Sequence, residues 1–225
     1  MKFFHRTDQP AFLGDIARVF SRTIKTFGKS PAAVLWKNAE GQQLRFEVLA
    51  GILDDLPRST RISINDFGCG YAALFDFLDE LPGISELSYY GYDISKDMIA
   101  TARQRTRDRR AHFFEASKID KAADFTFVSG TYNLKLKVAD KPWNAYVKES
   151  LAGLWSVSNK GLAFNMLDLN HPDQGEGLYY AEPNEFIDFC RGLSANVTLI
   201  DDYPLHEWTI FVRRDAPSIK HSQSV

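Results

Sequence analysis

From residue 61 onward the apolar positions alternate between two spacings, short strand-like runs and longer stretches that repeat every three or four residues. The runs predict strands near 62–66, 87–92, 111–115, 124–129, 161–167, 196–201 and 207–213, and the stretches between them predict helices over 71–80, 96–107, 143–157 and 183–191. Pro142 and Pro183 stand near two of these helix starts, where a missing N–H costs nothing. Strands alternating with helices imply a mostly parallel sheet with both faces covered. The last two strands break the pattern. Only Asp201 to His206 join them, too few residues for a crossover helix, so this pair must be antiparallel.

Residues 1–60 read differently. Phe12, Ile16, Val19, Phe20, Ile24 and Phe27 recur at helical spacing and Gly28 offers a stop. After Pro31, the positions Leu44, Phe46, Val48, Leu49, Ile52, Leu53 and Leu56 mark a second helix that ends before Pro57. The segment is expected to be a helical cap or lid, with Trp36, Gln43 and Arg45 facing the site, or else packing for one sheet edge. Residues 61–214 form the main domain, and the polar stretch 215–225 is expected to be a disordered tail.

Composition narrows the class without deciding the function. A chain of 225 residues can bury one sizeable core. A net charge of −2 and a pI near 6.2 argue against a general nucleic-acid or anionic-membrane binder. The arginines at 103, 105, 107, 109 and 110 crowd a predicted helix end, where they complement the helix dipole and are expected to lie in water. Two cysteines, Cys69 and Cys190, lack zinc-ligand spacing and fit a reducing compartment, and no long apolar run marks a membrane span. The expected location is cytoplasmic.

Candidate chemistry begins at Asp66-Phe67-Gly68-Cys69-Gly70, an acid and a glycine turn between a strand and a helix. Glycine lets the backbone turn sharply and lets a ligand approach with no Cβ in the way, and the helix start offers unpaired N–H groups. One βα unit later Tyr90-Gly91-Tyr92-Asp93 ends a strand in a second acid, where such folds place a carboxylate against ribose hydroxyls. Asp93 or Ser95 would equally serve as a helix cap. Because Gly68-x-Gly70-x-x-Ala73 also fits a relaxed dinucleotide fingerprint, a nicotinamide-dependent oxidoreductase stays open at this point.

Asp66 to Gly70 resembles the first motif of class I S-adenosylmethionine-dependent methyltransferases, and Tyr90 to Ser95 with Met98 resembles their second; Ala72 stands where a third glycine is usual. The resemblance covers most of the chain and implies an α/β fold, a Rossmann-like seven-stranded, mostly parallel sheet with a closing antiparallel hairpin. It implies S-adenosyl-L-methionine as cofactor, Asp66 toward the methionine ammonium and Asp93 on the ribose. It further implies a cofactor site built from Arg45, Gly68, Gly70, Ile94, Met98, Ser117 and Ser129, with Phe114 or Ile94 as the apolar wall. The expected reaction is methyl transfer to a small-molecule acceptor. The alternatives are an intramolecular displacement releasing methylthioadenosine, the oxidoreductase above, and an inactive cofactor-binding partner subunit.

The acceptor side is expected at the carboxyl ends of the later strands. Tyr132 and Asn133 follow the fourth strand, Asp168 and His171 the fifth, and His206 lies in the final hairpin turn; together they are the candidate catalytic group. A histidine near neutral pKa suits removal of a proton from a hydroxyl or ammonium acceptor. Asp168, Asn170, His171 and Asp173 are oxygen- and nitrogen-rich, but Ser129 stands where a further acid would be wanted, so no metal is expected.

Overall fold

The computed structural model describes residues 10–214; the tail from 215 lies outside the described residues. Six α-helices and eight strands follow in the order α1 (Phe12–Phe27), α2 (Ala39–Ala50), β1 (Thr60–Phe67), α3 (Ala73–Asp79), β2 (Ile84–Asp93), α4 (Lys96–Arg105), β3 (Ala111–Glu115), β4 (Ala123–Val128), α5 (Asp140–Ser156), β5 (Ser158–Asp168), β6 (Tyr180–Ala181), α6 (Pro183–Arg191), β7 (Asn196–Ile200) and β8 (Glu207–Arg213).

One sheet runs β3-β2-β1-β4-β5-β8-β7, with the two-residue β6 paired to β5. The pairs among β1 to β6 are parallel, whereas β8 runs antiparallel to both β5 and β7. All seven strands expected from the hydrophobic pattern are present, and so is the closing hairpin. β6 was not expected, since two residues carry no periodic signal. The strand order reverses between β1 and β4, and this is where an open α/β sheet leaves a crevice at its carboxyl edge.

Two apolar clusters cover the sheet. One gathers Phe164, Trp208, Phe186, Leu151 and Trp143 with Leu13 and Ile16 of α1. The other gathers Leu49, Ile64, Leu78, Tyr89 and Phe127. Central strands buried on both faces explain the near-continuous apolar runs, as in Phe125, Phe127 and Val128 of β4.

The N-terminal helices begin and end on readable signals. Gly28 closes α1 at φ 61°, and Asn38 caps α2 by accepting from Gly41 N at 2.8 Å. The second helix starts earlier than its apolar positions imply and tightens into a 3₁₀ turn at Gly51–Leu53. Asn38 initiates it before the first apolar position, a capping effect that periodicity does not register.

The arginine cluster is less free than its composition implies. Arg105 pairs with Asp76, Arg110 pairs with Asp79 at 2.7 Å, and Arg103 donates to Phe113 O at 2.6 Å. These contacts tie part of the cluster to α3 and β3, while Arg103, Arg107 and Arg109 stay exposed at the solvated end that the composition implies.

Candidate cofactor and active site

At the β1/β4 switch the chain forms a cleft of about 670 Å³, open to solvent. Gly68, Gly70, Asp93, Ile94 and Ala116 line its floor, and Ser129 to Thr131 its β4 side; Leu13, Ile16 and Phe20 of α1, with Val34 and Trp36, roof it. A second, smaller chamber is lined by Asp66, Gln42, Tyr71 and Cys69, and shares Val34, Trp36, Gly68 and Ser129 with the first.

Three glycines set the shape of this space. Gly68 sits at φ 83° and a Cβ there would stand 2.2 Å from Thr131 Oγ1; Gly70 sits at φ 52°, with Val34 Cγ1 2.8 Å from the same point. Gly130, at φ 64°, would drive a Cβ to 2.3 Å from the Trp36 ring. Ala72 occupies the place of the usual third glycine and still adopts the left-handed conformation, φ 66°, a geometry that costs an alanine ~1 kcal/mol. Gly68→Ala is expected to lower stability by about 1–3 kcal/mol, through left-handed strain and displacement of Thr131, as read from thermal melts.

Asp93 is buried and holds the loop from one side. Its Oδ2 accepts from Gly70 N at 3.0 Å and its Oδ1 from Ser95 N at 2.7 Å. Burial pushes its pKa up to about 6 against the pull of those two N–H groups. The side chain that caps α4 is Ser95, which accepts from Met98 N at 3.3 Å. Asp66 is also buried and accepts from the Tyr89 hydroxyl; burial raises its pKa to about 7, with Asp93 adding to the rise and Tyr89 opposing it.

Several candidate residues therefore belong to the cleft: Gly68, Gly70, Asp93, Ile94 and Ser129 line the larger space, and Asp66 lines the second chamber. Four others do not. Met98 is fully buried against Ile24, Ala33 and Tyr71, because the first turn of α4 points it under α1 rather than toward the cleft. Ser117, expected as a cofactor contact after β3, does not line the cleft; Ala116 does, its N donating to Asp93 O at 3.0 Å. Arg45 is drawn away by Glu207, and Phe114 stands half exposed outside the cleft.

The candidate catalytic group also divides. Tyr132 is buried in the core, where its hydroxyl and that of Ser150 share a hydrogen bond of 2.7 Å and its ring packs on Phe67 and Tyr146. The bend at Gly130 turns it inward, so it does not reach the cleft. Tyr132→Phe is accordingly expected to cost about 0.5–1.5 kcal/mol in a melting experiment while leaving cofactor affinity unchanged. Asp168, His171 and His206 form a cluster of their own: His171 N donates to Asp168 O at 3.0 Å and the two imidazoles lie 4.7 Å apart. They sit at or just past the end of β5 and just before β8 and line neither chamber, so the five residues do not converge.

Asn133 is buried with both amide atoms unpartnered, and the Ser129 hydroxyl is buried and unpartnered as well. Among the described residues no group of three or more His, Cys, Asp or Glu side chains converges as a metal site, and no helix is long and apolar enough to cross a membrane. Cys69 is buried, and desolvation holds its thiol well above the usual range, which leaves it protonated.

Comparison with known proteins fits this geometry. A family model described as a methyltransferase domain matches residues 65–134, the span from the end of β1 through the loop after β4. Rv1506c of Mycobacterium tuberculosis strain H37Rv, which carries a provisional methyltransferase assignment, is 40% identical over 157 residues, covering 68% of this chain and 93% of that protein. Magnesium protoporphyrin IX methyltransferase from Synechocystis PCC 6803, solved with S-adenosylmethionine, superposes with a TM-score of 0.63 at 14% identity, covering 92% of this chain and 99% of that one. The chain belongs to the class I S-adenosylmethionine-dependent methyltransferases. A methyltransferase from Aquifex aeolicus shares the fold at a TM-score of 0.54 and 16% identity, over 86% of this chain and 97% of that one.

The cofactor of this family suits the residues present. Gly68 and Gly70 leave a cradle that a Cβ would fill, two buried carboxylates flank it, and Ser129, whose buried hydroxyl is unpartnered, lines both chambers. Sequence reading missed Gln42, which receives the Tyr71 hydroxyl at 3.0 Å on the wall of the second chamber, and the α1 side chains of the roof. Gln42 stands one position from Gln43, and helical phase alone separates them. Gln43 instead faces outward to Glu47.

Proposed function

We propose that this methyltransferase acts on a small-molecule acceptor beneath a lid drawn from the N-terminal segment, from α1 through Trp36. The observation that carries the reading is the lining: Leu13, Ile16 and Phe20 of α1, with Val34 and Trp36, face the glycine loop, Asp93 and the Ser129–Thr131 turn across one narrow cleft. A polymer would need an open groove in the same place.

Within this reading Asp93 takes the ribose hydroxyls, Asp66 faces the ammonium of the methionine end, and Ile94 and Ala116 flank the adenine. The bound cofactor supplies an already activated methyl group on a sulfonium. The chain's own task is to hold donor and acceptor in line and to keep water out, a proximity effect. Ser129, which lines both spaces and has hydrogen-bonding capacity left over, is the polar side chain assigned to the acceptor side; Asn133 is unpartnered too but lines neither space.

Incubating the enzyme and S-adenosylmethionine with separate low-molecular-mass and macromolecular fractions of a cell extract tests this reading. The small-molecule fraction is expected to drive S-adenosylhomocysteine formation. Turnover confined to the macromolecular fraction, or methylthioadenosine as the product, would refute it.

A further inference from the structure

A closed ring of contacts meets both chambers at Trp36 and the larger one also at Gly130, and it joins parts of the chain far apart in sequence. Asn165 of β5 accepts from Gly130 N at 2.7 Å through Oδ1 and donates from Nδ2 to Glu207 Oε2 at 2.5 Å. Glu207, at the start of β8, receives Arg45 Nε at 3.0 Å and pairs with a second nitrogen of the same guanidinium. Arg45 of α2 lies 3.8 Å above the Trp36 ring, and the far edge of that ring closes on Gly130.

The charges in this ring are costly to bury. Glu207 is 2% exposed and Arg45 11%, so each depends on the other and on its remaining partners, Asn165 and Gly41 O. A simple fastening of α2 to the sheet could be apolar, as it is elsewhere along that helix through Phe46 and Leu49. What the bidentate pair adds is direction: a guanidinium fork fixed by a carboxylate holds the plane of the indole stacked on it.

The place so fixed is where the two halves of the cofactor must meet. The chamber containing Asp66 suits the charged amino-acid end, and the cleft containing Asp93 and Ile94 suits the nucleoside end. The sulfur joins those ends and carries the methyl. Trp36, Gly68, Val34 and Ser129 are the residues common to both spaces.

We propose that Trp36 is a catalytic residue that presents its indole to the sulfonium and its methyl group, and that Arg45, Glu207 and Asn165 are positioning residues that hold the Trp36 ring against the Gly130 backbone at the edge of that space. An aromatic face attracts a cation most when the cation is desolvated, and Glu207 neutralises Arg45 so that its charge does not oppose this attraction. The ring thereby turns the N-terminal segment from a cover into part of the reaction geometry. The proposal rests on the cleft being the cofactor site.

Nuclear magnetic resonance of the full chain with methyl-¹³C S-adenosylmethionine tests it without any acceptor. In the wild type the bound methyl signal is expected upfield of free cofactor, because it lies against an indole. Trp36→Leu should remove most of that displacement, and Trp36→Phe should keep part of it. The double variant Arg45→Met with Glu207→Gln leaves no buried charge unpaired and keeps an acceptor for Asn165. It should shift the signal back toward the free value while cofactor affinity stays within about threefold. An unmoved methyl signal in Trp36→Leu or in the double variant, with cofactor still bound, overturns the proposal. Absence of saturable cofactor binding by the wild type would instead defeat the reading of the cleft itself. Each variant is read independently, so failure of one to fold leaves the other decisive.

Discussion

Asp93→Ala is expected to lower affinity for S-adenosylmethionine by roughly 30- to 150-fold, the loss of a charge-assisted, two-oxygen contact with a diol. The structure adds a second reason for a large effect. Asp93 holds Gly70 N and Ser95 N through its two oxygens, so its removal frees the glycine loop as well as the ribose contact. Asp93→Asn separates the two contributions. The amide retains one accepting oxygen for one of these N–H groups, and is expected to bind cofactor better than alanine but well below wild type. Helix α4 should persist in both, because its side-chain cap is Ser95. Calorimetric titration with far-ultraviolet circular dichroism as a control decides the matter. Unchanged affinity in folded Asp93→Ala would remove the ribose assignment.

Cofactor affinity is expected to climb by at least ~10-fold between pH 5.5 and 8, because the cofactor-free enzyme titrates Asp93 at about 6 and Asp66 at about 7 and only the carboxylates attract a cationic ligand. Stability of the cofactor-free protein should move the opposite way. An exposed aspartate ionises near 3.8, whereas folded Asp66 keeps its proton up to about 7, so the folded state binds more protons across that window. Stability therefore falls as pH rises from about 4 to 7 and levels off above it. Asp66→Asn retains an acceptor for Tyr89 and has no charge to bury. It is expected to melt at a higher temperature than wild type at pH 8, to lose that advantage near pH 4, and to bind cofactor weakly with a flatter pH profile. A lower melting temperature at pH 8, or an affinity independent of pH in the wild type, would contradict this assignment. The stability sacrificed at Asp66 is a mark of a residue kept for binding rather than for folding.

The sheet was legible because its signals are local. Strand runs, the glycine turn and the six-residue Asp201–His206 connection each state their consequence within a few residues. The acids at 66 and 93 were legible for the same reason, being placed at strand ends by their own segments. Residues whose direction depends on distant partners were not. Arg45 reads as a cation available to a cofactor until Glu207, 162 positions away, is brought beside it by an antiparallel strand. Tyr132 stands next to Asn133, yet the turn at Gly130 sends the phenol into the core. Met98 was assigned from resemblance, and the packing of α1 on α4 buries it. His171 and His206 do meet, but the β5 and β8 ends that bring them together carry them past the cleft.

The sequence reading also treated the N-terminal helices as equally a scaffold or a lid. Leu13, Ile16, Phe20 and Trp36 line the cleft, and Leu13 and Ile16 also pack in the core on the sheet, so the segment touches both places. Their contribution shows only in the folded chain, where α1 crosses the carboxyl edge and packs on α4 and the Pro31–Val34 turn.

Hydrogen exchange with and without saturating S-adenosylmethionine tests the whole arrangement most directly. The account predicts added protection in three separate stretches: the loop from Asp66 to Ala73, the turn from Ser129 to Asn133, and the roof from Leu13 to Trp36. Protection confined to other surfaces, or a roof that exchanges at the same rate with and without cofactor, would contradict it.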